Sequence, residues 1–205
     1  MASIFDLIFP RYCLECKKPG RYLCESCVNK LPQLTRIILV TTIFPYKGVI
    51  RKAILALKYK YAYDISKELS ELVALSLIKS KLRFPEKAIL VPIPLHKKRE
   101  NYRGFNQSGE IGKQLAKKMG WNYLPDLLIR KIATPSQTGL NREKRGENVR
   151  DAFILNSKYR SKLEIRDSNL VIFDDVYTTG STINEAKRVL YKEGFKKVFC
   201  LSIAG

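Results

Sequence analysis

The sequence predicts an α/β protein, with a mostly parallel sheet covered by helices on both faces and a small cysteine module at its N-terminal end. Apolar runs of strand length alternate with segments of helical periodicity along most of the 205 residues. One run, residues 170–173, is continuously apolar, which is typical of a strand buried on both faces of a parallel sheet. Four cysteines lie apart from this alternation, in two C-x-x-C pairs near the start of the chain.

The composition is that of a globular and strongly basic protein. Hydrophobic residues make up 45% of the chain, enough to bury a core, and the formal net charge is +19. Such a charge favours an anionic partner: nucleic acid, a nucleotide phosphate or an acidic membrane surface. A genome that favours lysine codons explains the charge equally well. The charge by itself therefore identifies no partner.

Residues 1–10 are too short and too acidic for a signal peptide or a membrane span, because Asp6 interrupts the apolar run and no basic leader precedes it. We expect a short amphipathic helix that packs on the domain, with contact to a membrane surface as the alternative. The protein is therefore expected to be cytoplasmic, or peripheral at the inner face of the membrane in that alternative.

The two C-x-x-C pairs predict a structural zinc site. Cys13 and Cys16 are followed after seven residues by Cys24 and Cys27, so four thiolates can surround one Zn²⁺ ion. Two disulfides are the alternative, and they fit poorly with a chain that carries no secretion signal. Cys200 lies in an apolar run, where we expect a buried small hydrophobic residue.

The cysteine module is expected to span residues 1–35, and a larger α/β domain residues 36–205. Within the larger domain, strands are predicted at 41–44, 88–92, 127–129, 152–155, 170–173 and 197–203. Helical periodicity covers 49–57, 65–76, 111–119 and 183–190, with Gly120 and Gly194 as the helix ends. Residues 93–105 are expected to form a loop. Residues 133–150 are polar and aperiodic, which is typical of a functional lid or of a disordered segment.

Two carboxylates, a Thr-, Gly- and Ser-rich turn and a helix follow the buried strand at 170–173. Ligands of parallel α/β sheets bind at the carboxyl ends of the strands, and a helix N-terminus attracts phosphate. The carboxylates have the wrong charge for phosphate but can accept hydrogen bonds from ribose hydroxyls, or hold Mg²⁺ through water. A ribose phosphate site is therefore predicted at Asp174, Asp175, Thr178, Thr179, Gly180, Ser181 and Thr182.

Two simpler interpretations compete with this site. A hydroxyl residue before a helix is most often its N-cap, and we expect one of the four hydroxyl residues of the turn to serve as such. An acid pair after an apolar strand also resembles the metal-binding strand of P-loop ATPases. The chain contains no G-x-x-x-x-G-K-[ST] sequence, which argues against the ATPase.

The segment 174–182, Asp-Asp-Val-Tyr-Thr-Thr-Gly-Ser-Thr, resembles the phosphoribosyl pyrophosphate (PRPP) signature of type I phosphoribosyltransferases. The whole chain resembles the ComF family of competence-associated, phosphoribosyltransferase-like proteins, which carry an N-terminal zinc finger. The further matching motifs are the two C-x-x-C pairs, Val-Pro-Ile-Pro-Leu-His at 91–96, Arg-Gly-Phe-Asn-Gln at 103–107, Gln-Thr-Gly-Leu at 137–140 and Arg-Gly-Glu-Asn-Val at 145–149.

The resemblance implies a type I phosphoribosyltransferase-like fold with PRPP and Mg²⁺ as ligands. It places a pyrophosphate loop around residues 94–97, for which we select Leu95, His96, Lys97, Arg99 and Arg103. His96, the only histidine, would carry any acid–base role, although a plain hydrogen bond is the more ordinary role for a loop histidine. Residues 133–150 match the hood that closes over PRPP, with Gln137, Arg142, Arg145 and Asn148 reaching inward.

Two functions from different classes remain open at this point. The first is an enzyme, a Mg²⁺-assisted phosphoribosyltransferase in nucleotide salvage or biosynthesis, with Asp174 and Asp175 as its catalytic residues. The second is a protein that binds PRPP and handles incoming single-stranded DNA in natural competence, as the ComF resemblance implies; a DNA-uptake helicase or channel would then be a partner. Tyrosines among basic residues could stack on bases: Tyr12, Tyr22, Tyr59, Tyr61 and Tyr63.

Overall fold

A mostly parallel sheet forms the centre of the computed structural model, which describes residues 10–32, 35–37, 40–60, 63–80, 84–132 and 150–205. In the described part of the chain its strands lie in the order β1-β2-β8-β7-β3-β4, and all neighbours are parallel except β1 and β2. The strands of this sheet are β1 (Thr35–Ile37), β2 (Val40–Phe44), β3 (Ile89–Pro92), β4 (Asn122–Tyr123), β7 (Leu170–Val176) and β8 (Val198–Ala204).

Helices cover both faces of the sheet, as predicted. The helices are α1 (Glu25–Val28), α2 (Gly48–Lys60), α3 (Tyr63–Lys79), α4 (Lys97–Arg103), α5 (Gln107–Met119) and α6 (Ser181–Lys192). Val171 and Phe173 of β7 belong to a buried cluster with α2, α3 and α5, whereas Leu170 and Ile172 belong to a second cluster with α6. Because successive strand residues point to opposite faces, the continuous apolar run fills both clusters.

Two of the predicted strands belong to a separate antiparallel ribbon. Leu128–Arg130 (β5) pairs with Phe153–Leu155 (β6), and these strands flank the predicted hood. Leu128, Phe153 and Leu155 join the cluster under α6. Short apolar runs predict a strand but not its partner, because the pairing depends on contacts distant in sequence.

The predicted loop at 93–105 contains a helix, α4, which the sequence interpretation did not anticipate. The Nδ1 atom of His96 accepts a hydrogen bond from the backbone N–H of Lys98 at 3.2 Å and caps its start, and Gly104 ends it with φ of +79°. The helix buries none of its residues. It therefore lacks the apolar periodicity from which helices are predicted.

The cysteine module packs directly on the α/β domain. Leu23 and Val28 lie in the same buried cluster as Ile50 and Ile54 of α2. The first nine residues, where the amphipathic helix is expected, lie outside the described residues. In the part of the chain that the structure describes, no helix is both long enough and apolar enough to cross a membrane.

Candidate functional site

The two aspartates of the predicted ribose site lie within β7, which continues to Val176, and not after the strand as expected. Asp174 is half-buried, and its Oδ1 atom accepts hydrogen bonds from the Ser108 hydroxyl at 3.0 Å and from the N–H of Asp175 at 2.9 Å. Asp175 is only 8% exposed. The strand extends through the acids because β8 pairs with it as far as Val176.

The predicted phosphate turn, residues 178–182, leads from β7 into the first turn of α6. Gly180, with φ of +79°, is the N-cap, so the expectation that a hydroxyl residue caps this helix is wrong. The hydroxyls of Thr179 and Ser181 lie 3.0 Å apart, and the Ser181 N–H points at Thr179 Oγ1 at 3.5 Å. The N-terminus of a helix carries the positive end of the helix dipole, which attracts an anion.

Gly180 also lies in close contact with the side chain of Tyr177. A Cβ atom at this position would lie 2.5 Å from the hydroxyl oxygen of Tyr177 and 2.9 Å from two of its ring carbons. The Tyr177 N–H donates to the carbonyl of Ala204 at 2.7 Å, which holds the start of the turn against the end of β8. The ring of Tyr177 therefore packs closely against the backbone of Gly180.

The segment that carries the residues selected for the pyrophosphate loop begins beside Asp174. Strand β3 pairs with β7 in parallel, with Pro92 opposite Phe173, and the N–H of Ile93 donates to the carbonyl of Phe173 at 2.8 Å. The chain therefore leaves β3 next to Asp174. Leu95, His96, Arg99 and Arg103 are half-buried, and Lys97 is exposed.

Three residues near the site carry polar groups that the sequence interpretation did not select. Ser108 binds Asp174, and the side-chain amide of Asn106 donates to the carbonyl of Ile93 at 3.0 Å. Asn106 is the N-cap of α5 and belongs to the motif at 103–107, and Ser108 directly follows that motif, so the motif could have indicated both residues.

The third is Arg130, at the end of β5. Its pKa is lowered by burial and by the nearby charge of Arg99, whereas the carboxylate of Asp174 raises it. Its guanidinium carbon lies 5.4 Å from the centre of the Phe153 ring. In the sequence, Arg130 only ends a short apolar run, which does not predict a position near Arg99 and Asp174. The pairing of β5 with β6 brings the arginine to that position.

The predicted hood residues Gln137, Arg142, Arg145 and Asn148 lie outside the described residues. The chain is described again from residue 150, where the N–H of Asp151 donates to the Glu185 carboxylate at 2.8 Å. Arg188 bridges these two residues, with 2.6 Å to Asp151 and 2.8 Å to Glu185. The segment that follows the hood is therefore attached to α6, the helix that begins in the phosphate turn.

The four cysteines of the predicted metal site come together. The Sγ atoms of Cys13, Cys16, Cys24 and Cys27 all lie within 4.8 Å of one another, and those of Cys16 and Cys24 are 3.6 Å apart. Four thiolates around one Zn²⁺ lie about 3.8 Å apart, since each Zn–S bond is about 2.3 Å long. The arrangement can therefore hold a metal ion such as zinc.

Electrostatics at the cluster also fit a bound cation. Without metal, a hydrogen bond with the Ser26 hydroxyl lowers the pKa of the Cys24 thiol to about 6. Burial and the neighbouring thiols raise the pKa of Cys27 to about 12. Four sulfurs this close do not all ionise by themselves, and a divalent cation removes that repulsion.

Comparison with known proteins identifies the family. No protein-family model matches the chain. Competence protein F of Haemophilus influenzae is 30% identical over 197 residues, which cover 93% of this chain and 82% of that protein. The chain belongs to the ComF family.

Other relatives of this ComF-family chain carry related names. The DNA utilization protein YhgH of Escherichia coli is 29% identical over 198 residues, covering 92% of the chain and 82% of that protein. Competence protein ComFC of Bacillus subtilis is 35% identical over 112 residues, covering 54% and 42%.

Two solved structures overlap part of the ComF-family fold, each with a TM-score of 0.42. One is the allosteric regulatory enzyme of purine biosynthesis, which is 15% identical; the match covers 68% of this chain and 26% of the chain of that enzyme. The other is glutamine PRPP amidotransferase from Bacillus subtilis, complexed with ADP and GMP, 16% identical, covering 68% and 27%.

Proposed function

We propose that this ComF-family protein binds PRPP together with Mg²⁺ at the carboxyl end of β7, and that it handles single-stranded DNA in natural competence. The observation that carries the ligand proposal is the junction of Asp174 and Asp175 with the phosphate turn and the start of α6. An acid pair suited to a ribose diol and a helix N-terminus suited to a phosphate adjoin each other there. The names of the relatives in Haemophilus and Bacillus support the competence role.

Each part of the ligand has a counterpart in the chain. The 5-phosphate would lie at the turn formed by residues 178–182, and the ribose hydroxyls would donate to Asp174 and Asp175. The pyrophosphate would face residues 94–97, with the Arg99 guanidinium nearby. Bound Mg²⁺ would neutralise part of the pyrophosphate charge.

Thermal unfolding tests the ligand proposal. PRPP with Mg²⁺ at about 100 times its Kd stabilises a folded protein by about 2.7 kcal/mol. For a chain of this length we expect Tm to rise by about 5–10 °C. The double variant Asp174→Asn with Asp175→Asn should lose this gain, whereas Asp167→Asn, a change of an exposed aspartate, should retain it. No rise of Tm in the parent protein contradicts the proposal.

Catalysis is the second candidate, and the same acid pair favours it. In a phosphoribosyl transfer a nucleophile forms a bond to C1 of the ribose, the bond from C1 to pyrophosphate breaks, and pyrophosphate leaves with the electron pair. Asp174 and Asp175 would orient the ribose during this step. Release of pyrophosphate that requires one particular acceptor would establish the enzyme in place of a binding role.

We further propose that Zn²⁺ occupies the four-cysteine cluster as a structural ion. All four positions of a tetrahedral ion would be taken by protein thiolates, which leaves no open position for a substrate. Elemental analysis of the purified protein should give one zinc per chain. Replacement of Cys13 by serine should abolish zinc binding.

Among the described residues, the surface best suited to single-stranded DNA lies on α4. Tyr102 is 83% exposed, and the exposed Lys98 lies one turn before it on the same side of the helix. A base can stack on the tyrosine ring while the lysine meets a backbone phosphate. Among the tyrosines first considered, Tyr12 is 49% exposed and Tyr22 packs against the core. The side chains of Tyr59, Tyr61 and Tyr63 lie outside the described part.

Fluorescence anisotropy with a labelled single-stranded oligonucleotide tests this surface. Loss of one stacked base costs about 1–3 kcal/mol, so Tyr102→Ala should weaken affinity about 5- to 150-fold. Tyr102→Phe should bind like the parent because the stacking face remains. Tyr191→Ala is the matched control, since this tyrosine is 47% exposed on α6 and also has a lysine, Lys187, one turn before it, which here lies over the ring.

Two results contradict the DNA surface. One is an equal loss of affinity in Tyr102→Ala and Tyr191→Ala. The other is binding by the parent protein that does not weaken as salt rises, because contacts with phosphate release counterions.

A further inference from the structure

A buried carboxylate of the α/β domain reaches into the cysteine module. Glu68, in the first half of α3, is only 5% exposed. Its Oε1 atom accepts a hydrogen bond from the N–H of Tyr22 at 3.2 Å, and its Oε2 atom accepts one from the N–H of Leu23 at 2.9 Å. Tyr22 and Leu23 are the two residues that immediately precede Cys24, the first cysteine of the second pair.

The same peptide groups connect the two pairs of cysteines. The carbonyl of Tyr22 accepts a hydrogen bond from the N–H of Leu14, which lies between Cys13 and Cys16. On the other side, Cys24 is the N-cap of α1, and its carbonyl accepts the N–H of Cys27 at 3.1 Å. Hydrogen bonds therefore link Glu68 to the two residues before Cys24, and through the Tyr22 carbonyl to Leu14 between the cysteines of the first pair.

Glu68 and the module depend on each other energetically. A buried carboxylate is costly unless hydrogen bonds replace its lost water, and the two N–H groups of the module supply them. Buried hydrogen bonds to a carboxylate stabilise a contact more than the exposed ion pairs of the same interface do. The exposed pairs join Arg21 to Glu71 at 2.9 Å and Lys52 to Glu15 at 3.1 Å.

We propose that Glu68 is a positioning residue for the metal site, which it arranges from 45 residues away in sequence without touching the ion. Its carboxylate holds the peptide before Cys24, and through Leu14 it holds the first pair in register with the second. Partners beyond the ligands commonly orient a metal site in this way. This inference rests on the proposed zinc site.

Competition with a chromophoric chelator tests the proposal on the full chain loaded with zinc. Loss of a partner of this kind lowers metal affinity about 10- to 100-fold, which we expect for Glu68→Ala. Glu68→Gln should lie between Glu68→Ala and the parent, because an amide offers one acceptor oxygen where the carboxylate offers two. Glu71→Ala is the matched control: it removes a carboxylate one turn along α3 that meets the module only through an exposed side chain, and it should change affinity less than about twofold.

A second readout separates positioning from general loss of structure. The PRPP-induced rise of Tm and the far-ultraviolet circular dichroism should be the same in Glu68→Gln and the parent, while the zinc affinities differ. Zinc affinity of both Glu68 variants equal to that of the parent overturns the proposal, as does an equal loss in Glu71→Ala. If Glu68→Ala does not fold, Glu68→Gln decides. A parent protein without zinc overturns the zinc site and this inference together.

Discussion

Replacement of Gly180 by alanine is expected to destabilise the folded protein by about 2–5 kcal/mol. The backbone there has φ of +79°, where a side chain costs about 1–2 kcal/mol. The new Cβ atom would also lie 2.5 Å from the Tyr177 hydroxyl and 2.9 Å from its ring, and overpacking of this kind costs about 1–3 kcal/mol. The two costs add, because one acts on the backbone and the other on the packing.

Gly120 provides a matched control for the backbone cost alone. It ends α5 with φ of +67°, and a Cβ atom there would meet nothing within 4 Å. Gly120→Ala should therefore cost only about 1–2 kcal/mol. Urea denaturation followed by circular dichroism measures both variants, and equal m-values show that the difference lies in stability.

The packing argument is refuted if Gly180→Ala and Gly120→Ala are equally stable. If Gly180→Ala does cost more, a double variant identifies the source of the extra cost. In the background of Tyr177→Ala, the extra cost of Gly180→Ala should fall to that of Gly120→Ala, because the ring that causes the clash is gone. An extra cost that persists without the ring would assign it to the backbone of the turn.

Three further predictions concern single side chains. Ser108→Ala should weaken PRPP binding several-fold in a thermal-shift titration, because Asp174 loses a hydrogen bond donor at 3.0 Å; unchanged affinity would show that the serine does not orient the acid. Arg130→Met should weaken binding of pyrophosphate by about tenfold or more in calorimetry, since it removes a cation close to Arg99 and Asp174; equal affinity contradicts a role for it in anion binding. Cys200 should resist iodoacetamide at pH 8, because burial raises its pKa from 9.0 to about 11. Its neutral thiol therefore favours folding below pH 9, and this contribution is lost as pH rises through 11; rapid alkylation seen by mass spectrometry would contradict its burial.

The sequence was most informative where structure depends on neighbours in the chain. The apolar run at 170–173 predicted a central strand because both of its faces are buried. The spacing of the cysteines predicted their cluster, since two C-x-x-C pairs need only one reversal of the chain to meet. Gly120 predicted a helix end because a positive φ is easiest for glycine.

The same local reasoning was wrong where a long-range contact or an aperiodic segment determines the local structure. The acids at 174 and 175 were expected after the strand, but pairing with β8 carries the strand past them. Helix α4 was missed because it buries no side chain and so leaves no periodic pattern. The predicted N-cap was wrong because a residue without a side chain, Gly180, was needed beside the Tyr177 ring.

By itself the sequence predicted the α/β class, the cluster of four cysteines and the residues of the proposed sugar-phosphate site, all of which follow from local pattern or motif. Only the tertiary structure decided which distant groups join them. Ser108 reaches Asp174 across 66 residues, and Glu68 reaches Leu23 across 45. A hydrogen bond of that kind leaves no periodic trace in the chain, because its two ends meet only after the helices have packed on the sheet.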